Sequence, residues 1–182
     1  MTKAKSNVVS DFVLPIAVLV IICVVMSALL ALTNKATAPI IAEAERKANE
    51  EARLEVLPGA DSFLQVEQAG LPDAVKEVYQ AANGAGYTFS LTTTGYGGKN
   101  TLKMTIGIDG EGKLTGVKVL SHKETPGLGS KVTTEESFYG QFPGLDAAGA
   151  AAADTISGAT FSSNYYKAAI ADAFAAFDMV KG

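Results

Sequence analysis

Residues 12–32 contain no charged side chain, and that run limits the fold more than anything else in the chain. At about 1.5 Å per residue the run makes a helix of about 30 Å, the thickness of a bilayer's hydrocarbon layer. It is expected to be a transmembrane helix. Ser10 and Asp11 stand where N-terminal caps belong, and Pro15 falls in the first turn, where its missing N–H costs little. Cys23, in mid-span, reads as small apolar filler. Ala36-Thr37-Ala38 has the small-x-small form of a signal-peptidase site. The apolar cores of cleaved signals run to only roughly 7–15 residues, however, so the span is read as an uncleaved anchor. Lys3 and Lys5 precede it and Lys35, Arg46 and Lys47 follow, a near tie in the positive-inside count. A short tail over 1–11, a span over 12–32 and a long following domain have the layout of a signal anchor with its domain on the extracytoplasmic side. The single Cys is compatible with an oxidising compartment.

The chain has 182 residues, room for one ordinary domain besides the span. With 15 basic and 19 acidic side chains, a net charge of −4 and no Trp, it offers no basic surface for phosphate backbones, so nucleic acid is not expected as a partner. One Cys and one His exclude a disulfide framework within the chain. They also exclude a zinc or iron–sulfur site built from several such ligands, and no metal site is expected. Redox chemistry here would need a borrowed cofactor.

After the span, residues 33–58 form a stalk, helical from about Ala38, with Glu43, Glu45, Arg46, Lys47, Glu50, Glu51, Arg53 and Glu55 among repeated Ala. Its apolar side, Ile40, Ile41, Ala44, Ala48 and Ala52, is narrow, which suits a stalk or strut better than a core helix. Pro58-Gly59 ends it. Phe63, Val75, Val78 and Tyr79 mark weak strands or a short helix, and residues 87–91 a clearer strand. Leu102, Met104, Ile106 and Ile108 alternate with small or polar residues, as do Val117 and Val119 beyond the Asp109-Gly110-Glu111-Gly112 turn. This pattern predicts a β-hairpin with one buried face. The run 147–153, almost all Ala and Gly, suits a loop or a short turn of helix. From Asn164 the period becomes 3.6, with Tyr166, Ile170, Ala173, Phe174 and Phe177 on one stripe, an amphipathic helix fit to cover the sheet. The expected fold is an α+β domain over residues 59–182, an antiparallel sheet with covering helices.

Three segments combine small residues with hydroxyls in turns, where backbone N–H groups are free to meet an anion. The first is Gly95-Tyr96-Gly97-Gly98, which taken alone is also a sufficient tight turn. No Gly-Lys-Ser/Thr follows it, so it is no phosphate loop of the nucleotide-hydrolase kind. The second is His122-Lys123-Glu124-Thr125-Pro126-Gly127-Leu128-Gly129-Ser130-Lys131, where Pro-Gly makes a turn and two glycines let the backbone approach something flat. Singly, His122 and Lys131 would be ordinary surface residues. The third is Asp154-Thr155-Ile156-Ser157-Gly158-Ala159-Thr160-Phe161-Ser162-Ser163, leading into the last helix. Hydroxyls around Gly158-Ala159 at a helix N-terminus favour a phosphate. Ser162 or Ser163 alone would suffice as an N-cap, but a cap does not need Ser157 and Thr160 as well. The Gly-x-Ser-x-Gly order of a nucleophile elbow is absent.

The string Asp154-x-x-Ser157-Gly158-Ala159-Thr160 resembles the flavinylation sequence of one FMN-binding domain family. Its two branches are the FMN-binding (G-type) component of the Rnf electron-transport complex and the corresponding (C-type) component of the sodium-pumping NADH:quinone reductase. The run Glu124-Thr125-Pro126-Gly127-Leu128-Gly129 and the Gly-Tyr-Gly-Gly turn resemble two further segments of that family, in the same order. With the N-terminal span, the resemblance covers nearly the whole chain, and the short domain is more similar to the Rnf branch. It implies FMN joined covalently, through a phosphoester bond, to Thr160, by a separate flavin transferase using FAD. Phe161 stands where an aliphatic residue is commoner, a departure that bears on packing beside the phosphate rather than on attachment.

On that reading, Ser157, Gly158, Ala159 and Ser162 surround the phosphate. The ring lies against the turn of Glu124, Thr125, Leu128 and Gly129, with Leu128 on one face and Tyr96 near the other. His122, Glu124, Thr125 and Lys131 are candidates for tuning the flavin. Thr160 is a point of attachment, so no catalytic residue is assigned. The resemblance implies a lipid-embedded electron-transfer subunit with the other subunits of an Rnf-type complex as partners, passing electrons between ferredoxin and NAD coupled to ion transport, and no enzyme when alone. The rival readings are a membrane-anchored flavin-dependent reductase with its own small-molecule substrate and a cofactor-free structural anchor. An uncleaved anchor predicts an intact mass that includes the span; a mature chain beginning at Pro39 would overturn it.

Overall fold

The computed structural model describes residues 12–181, so the tail 1–11 and the expected caps Ser10 and Asp11 lie outside the described residues. The chain divides between Arg46 and Lys47 into two compact units, each taken by itself below. The division falls inside the stretch expected to be the stalk. Helix α1 (Leu14–Val56) is continuous, so span and stalk helix are one element rather than two.

In the first unit, α1 supplies the one helix among the described residues that is long and apolar enough to cross a membrane. Residues 12–32 are all exposed, and a helix that is apolar all round needs lipid or protein against it. Just beyond, the Thr33 and Thr37 hydroxyls donate to the Leu29 and Thr33 carbonyls at 2.9 Å each, so neither asks for an outside partner. Pro39 sits within the helix and lacks the N–H that the Lys35 carbonyl would otherwise meet.

The second unit is built on an antiparallel meander in chain order: β1 (Phe63–Val66), β2 (Val75–Ala81), β3 (Gly86–Gly95), β4 (Gly98–Asp109) and β5 (Leu114–His122). The alternation around Asp109–Gly112 does form a hairpin. The Asp109 carboxylate accepts from the Glu111 and Lys113 N–H groups at 2.9 Å each, and Gly112 takes φ +83°, which tightens the turn. Phe89 pairs with Ile106 and Leu91 with Met104, so one face of β3 and β4 is an unbroken apolar surface. Short helices α2 (Lys131–Thr134), α3 (Glu136–Tyr139) and α4 (Ala147–Ala152) follow, the last of them over the Ala/Gly run.

Helix α5 (Thr160–Val180) lies over that apolar face with Tyr166, Ala169, Ile170, Ala173, Phe174 and Phe177 buried. Complete burial of side chains such as Phe89 or Ile106 contributes about 1.5–3 kcal/mol each. Tyr166 meets Phe138 and Phe142 with ring centroids 5.2 and 5.3 Å apart, and its burial pushes the phenol well above its ordinary pKa. The helix starts at Thr160, four residues before Asn164, because the apolar stripe marks only the turns that face the sheet.

Part of the sheet's other face is buried too, where the hairpin was expected to have one buried face: Thr88 and Thr105 are as inaccessible as the core, while Lys103 and Lys118 on that face stay exposed. The last turns of α1 cover it. Thr115 donates its hydroxyl hydrogen to the Val56 carbonyl, and the Arg53 guanidinium stacks 3.7 Å from the Tyr79 ring centroid. Gly107 and Gly116, paired across β4 and β5, leave the space in which Val56 sits. Gly107→Ala would drive a methyl group into the Val56 carbonyl. It is expected to cost about 1–3 kcal/mol, read as a lowered melting temperature of the detergent-solubilised chain.

Candidate functional site

The three segments singled out in the sequence meet at one end of the sheet and of α5. Gly95 to Gly98 close the β3–β4 turn, where Thr101 Oγ1 accepts from the Gly95 N–H at 3.2 Å and donates to the Gly98 carbonyl at 2.7 Å. The second segment leaves β5 and curls over residues 125–130, with the Leu128 and Ser130 N–H groups both donating to the Thr125 carbonyl at 3.2 Å. Gly127 takes φ +73° there, a conformation open to glycine with little strain.

The third segment is fixed at both ends. Gln141 grips the Asp154 backbone twice, its Oε1 accepting from the N–H at 2.9 Å and its Nε2 donating to the carbonyl at 3.2 Å. At the other end Ser163 Oγ accepts from the Ile156 N–H at 3.1 Å and donates to the Ala159 carbonyl at 3.0 Å. Between these ties Gly158 adopts φ +80° with open space where a Cβ would be. Ala159 precedes α5 and offers no side-chain cap. Neither Ser162 nor Ser163 is the N-cap, since both already lie inside the first turn and are buried. The first i→i−4 bond that follows runs from the Ser163 N–H to the Ala159 carbonyl, so the N–H groups of residues 160–162 precede the helical ladder.

A cavity of about 400 Å³ opens where the segments converge, lined by Tyr96, Thr125, Leu128, Gly129 and residues 158–162. Thr160 is exposed, and Tyr96, Leu128 and Phe161 present more than half of their surface around it. This donor set suits a group with one anionic end and one flat apolar end. The helix turn offers N–H groups and the positive end of a dipole, and the three apolar side chains offer faces for a ring.

Eight of the sequence-derived candidates therefore share one wall: Tyr96, Thr125, Leu128, Gly129, Gly158, Ala159, Thr160 and Ser162. The other four lie elsewhere. His122 lines a separate depression with Val117, Lys118 and Tyr139, and its Nδ1 accepts from the Glu124 N–H at 3.2 Å. Lys131 and Ser157 line a neighbouring hollow with Gln141 and Asp154, and Lys131 pairs with Glu135 at 3.3 Å. Glu124 is buried behind the wall rather than part of it. Phe161, noted in the sequence only as a departure from the family pattern, does line the cavity. An exposed aromatic residue next to Thr160 was the signal for it. Gln141 had none, because its partner is backbone thirteen residues away.

Comparison with known proteins identifies relatives of the chain. Residues 95–175, which take in all three segments, match the FMN-binding domain family. The chain is 35% identical over 162 residues to the G component of the ion-translocating oxidoreductase complex of Methanosarcina acetivorans, covering 81% of this chain and 85% of that one. It is 37% identical over 140 residues to the component of the same name from Stutzerimonas stutzeri, of which it spans 59%. It is also 37% identical over 131 residues to the G component of the Na(+)-translocating ferredoxin:NAD(+) oxidoreductase complex of Acetobacterium woodii, of which it spans 62%. The Ser163 tie yields a prediction independent of any ligand. Ser163→Ala leaves the Ile156 N–H without its acceptor and should destabilise the domain by about 1–3 kcal/mol, measured by thermal unfolding.

Proposed function

The chain belongs to the family of G components of ion-translocating oxidoreductase complexes, and from that premise we propose that it carries FMN covalently on Thr160 and relays electrons within such a complex. The observation that most supports this reading is the position of Thr160. Its side chain is exposed on the first turn of α5, in a cavity whose other walls are glycine backbone, apolar side chains and the hydroxyl residues Thr125 and Ser162. When bound there, FMN supplies reversible one- and two-electron chemistry.

The chain's own residues bind and shield. Attachment joins the Thr160 oxygen to the phosphorus of the FMN half of FAD as the pyrophosphate bond breaks, AMP leaves and the hydroxyl proton is released. A flavin transferase is the agent. The resulting diester carries one negative charge, which the N–H groups at the start of α5 and the helix dipole stabilise without an arginine. Gly158, with nothing where a side chain would project, keeps the approach open. Tyr96, Leu128 and Phe161, exposed around the cavity, would offer apolar contact to the ring and exclude water from it.

Among the described residues no pair of acid and base lines the cavity, which favours a relay over a reductase with its own substrate. On this proposal the neighbours are the other subunits of the complex, with ferredoxin and NAD as the terminal partners, and the domain lies on the extracytoplasmic side of the membrane. Residues 12–32 hold no ionisable group besides Cys23, so the span is an anchor in lipid rather than an ion path.

The test is the full chain co-expressed with a flavin transferase, denatured, run on a gel and viewed under ultraviolet light. A fluorescent band is expected for the unaltered chain, with complete loss in Thr160→Ala and a flavin-bearing peptide that maps to Thr160. A dark band from the unaltered chain under these conditions would overturn the proposal.

A further inference from the structure

We infer that Glu124 is a positioning residue that ties the three segments together and fixes the polarity of the Ser162 hydroxyl; this rests on the covalent-flavin reading for the identity of the group in the cavity. Glu124 is 5% exposed. Its carboxylate accepts from two donors remote from each other in sequence, the Tyr96 N–H of the β3–β4 turn at 2.8 Å and the Ser162 O–H in the first turn of α5. A buried carboxylate held by two neutral donors, with no cation against it among the described residues, is costly as mere packing. What it does accomplish is geometric.

Two glycines admit it. A Cβ at Gly95 would collide with Oε1, and a Cβ at Gly129 with Oε2 and with Ser162 Oγ. The glycine expected to let backbone approach a flat ligand at 129 therefore makes room for this carboxylate. Gly95 adjoins Tyr96 and Gly129 adjoins Leu128, so the position of Glu124 sets where those two exposed side chains stand around the cavity.

The second consequence is chemical. A hydroxyl has one proton, and that of Ser162 goes to Glu124, which leaves only lone pairs for a neighbour in the cavity. Ser162 can accept there and cannot donate. It therefore suits a donor, such as a ribityl hydroxyl or the ring N3–H, and repels the phosphate, which is left to the backbone N–H groups of the helix turn. In Glu124→Gln the amide oxygen can keep the Tyr96 bond while Nε2–H donates to Ser162 Oγ. The serine proton is then turned towards the cavity.

The experiment uses the full chain in detergent, with and without co-expressed flavin transferase. In the unloaded chain, Glu124→Ala should speed amide exchange at Tyr96 by about tenfold or more, while Glu124→Gln stays within about threefold of the unaltered chain. In the loaded chain, Glu124→Ala should slow flavin attachment by about tenfold, and Glu124→Gln should restore it. Glu124→Gln should nonetheless alter the visible circular dichroism of the bound flavin and move its midpoint potential upwards. A lost negative charge and a new donor both favour the electron-richer form. Ser162→Ala should change the same spectrum and leave Tyr96 exchange alone.

Unaltered exchange at Tyr96 in Glu124→Ala would overturn the positioning role, as would a flavin spectrum and potential in Glu124→Gln that match the unaltered chain. If Glu124→Ala fails to accumulate, the Glu124→Gln and Ser162→Ala spectra decide. A flavin-free unaltered chain overturns the covalent-flavin reading, whereas the exchange result bears on Glu124 by itself.

Discussion

The packing of α5 across β3 and β4 is the interaction on which the rest of the second unit depends. Tyr166, Ile170, Ala173 and Phe177 bury against Phe89, Leu91, Met104 and Ile106, and a rigid helix seated on a rigid sheet has little freedom in where its ends fall. That seating brings the first turn of α5 beside the β3–β4 turn. A surface built from segments more than sixty residues apart in sequence is thereby held to one geometry. The apolar seam does this without contributing a side chain to the cavity.

Much of this was legible in the sequence, and the reasons differ by element. The β4–β5 hairpin could be read because Leu102, Met104, Ile106 and Ile108 alternate on one face and Asp109 to Gly112 supply the turn chemistry. The amphipathic stripe of α5 was equally plain, but its first turn was not. Residues 160–162 line the site rather than the sheet and so carry no helical periodicity. The second buried face of the sheet was hidden because its residues are Thr, Ser and Gly. Their burial depends on α1, an element that the alternation of a strand says nothing about.

The site shows the same division between local and tertiary information. Glycines and hydroxyls marked three turns, and the three turns do converge. Which of the charged residues in the second segment face the cavity is a matter of tertiary path, and composition could not sort them. His122 turns back onto its own backbone, Lys131 pairs along its helix, and Glu124 goes inward. The polar groups around the cavity thus hold the protein to itself, and the surface left for a ligand is largely backbone, hydroxyl and apolar ring.

The two hydrogen bonds between the Gln141 amide and the Asp154 backbone bear on how such a chain matures. With one end gripped there and the other by Ser163, the loop before α5 surrenders its conformational entropy during folding, and on the proposed covalent attachment it does so before a modifying enzyme arrives. On that proposal this chain brings a preformed shape to the encounter. Recognition would then need no binding energy to organise the loop, and a loaded chain would inherit a geometry that the folded chain already possesses.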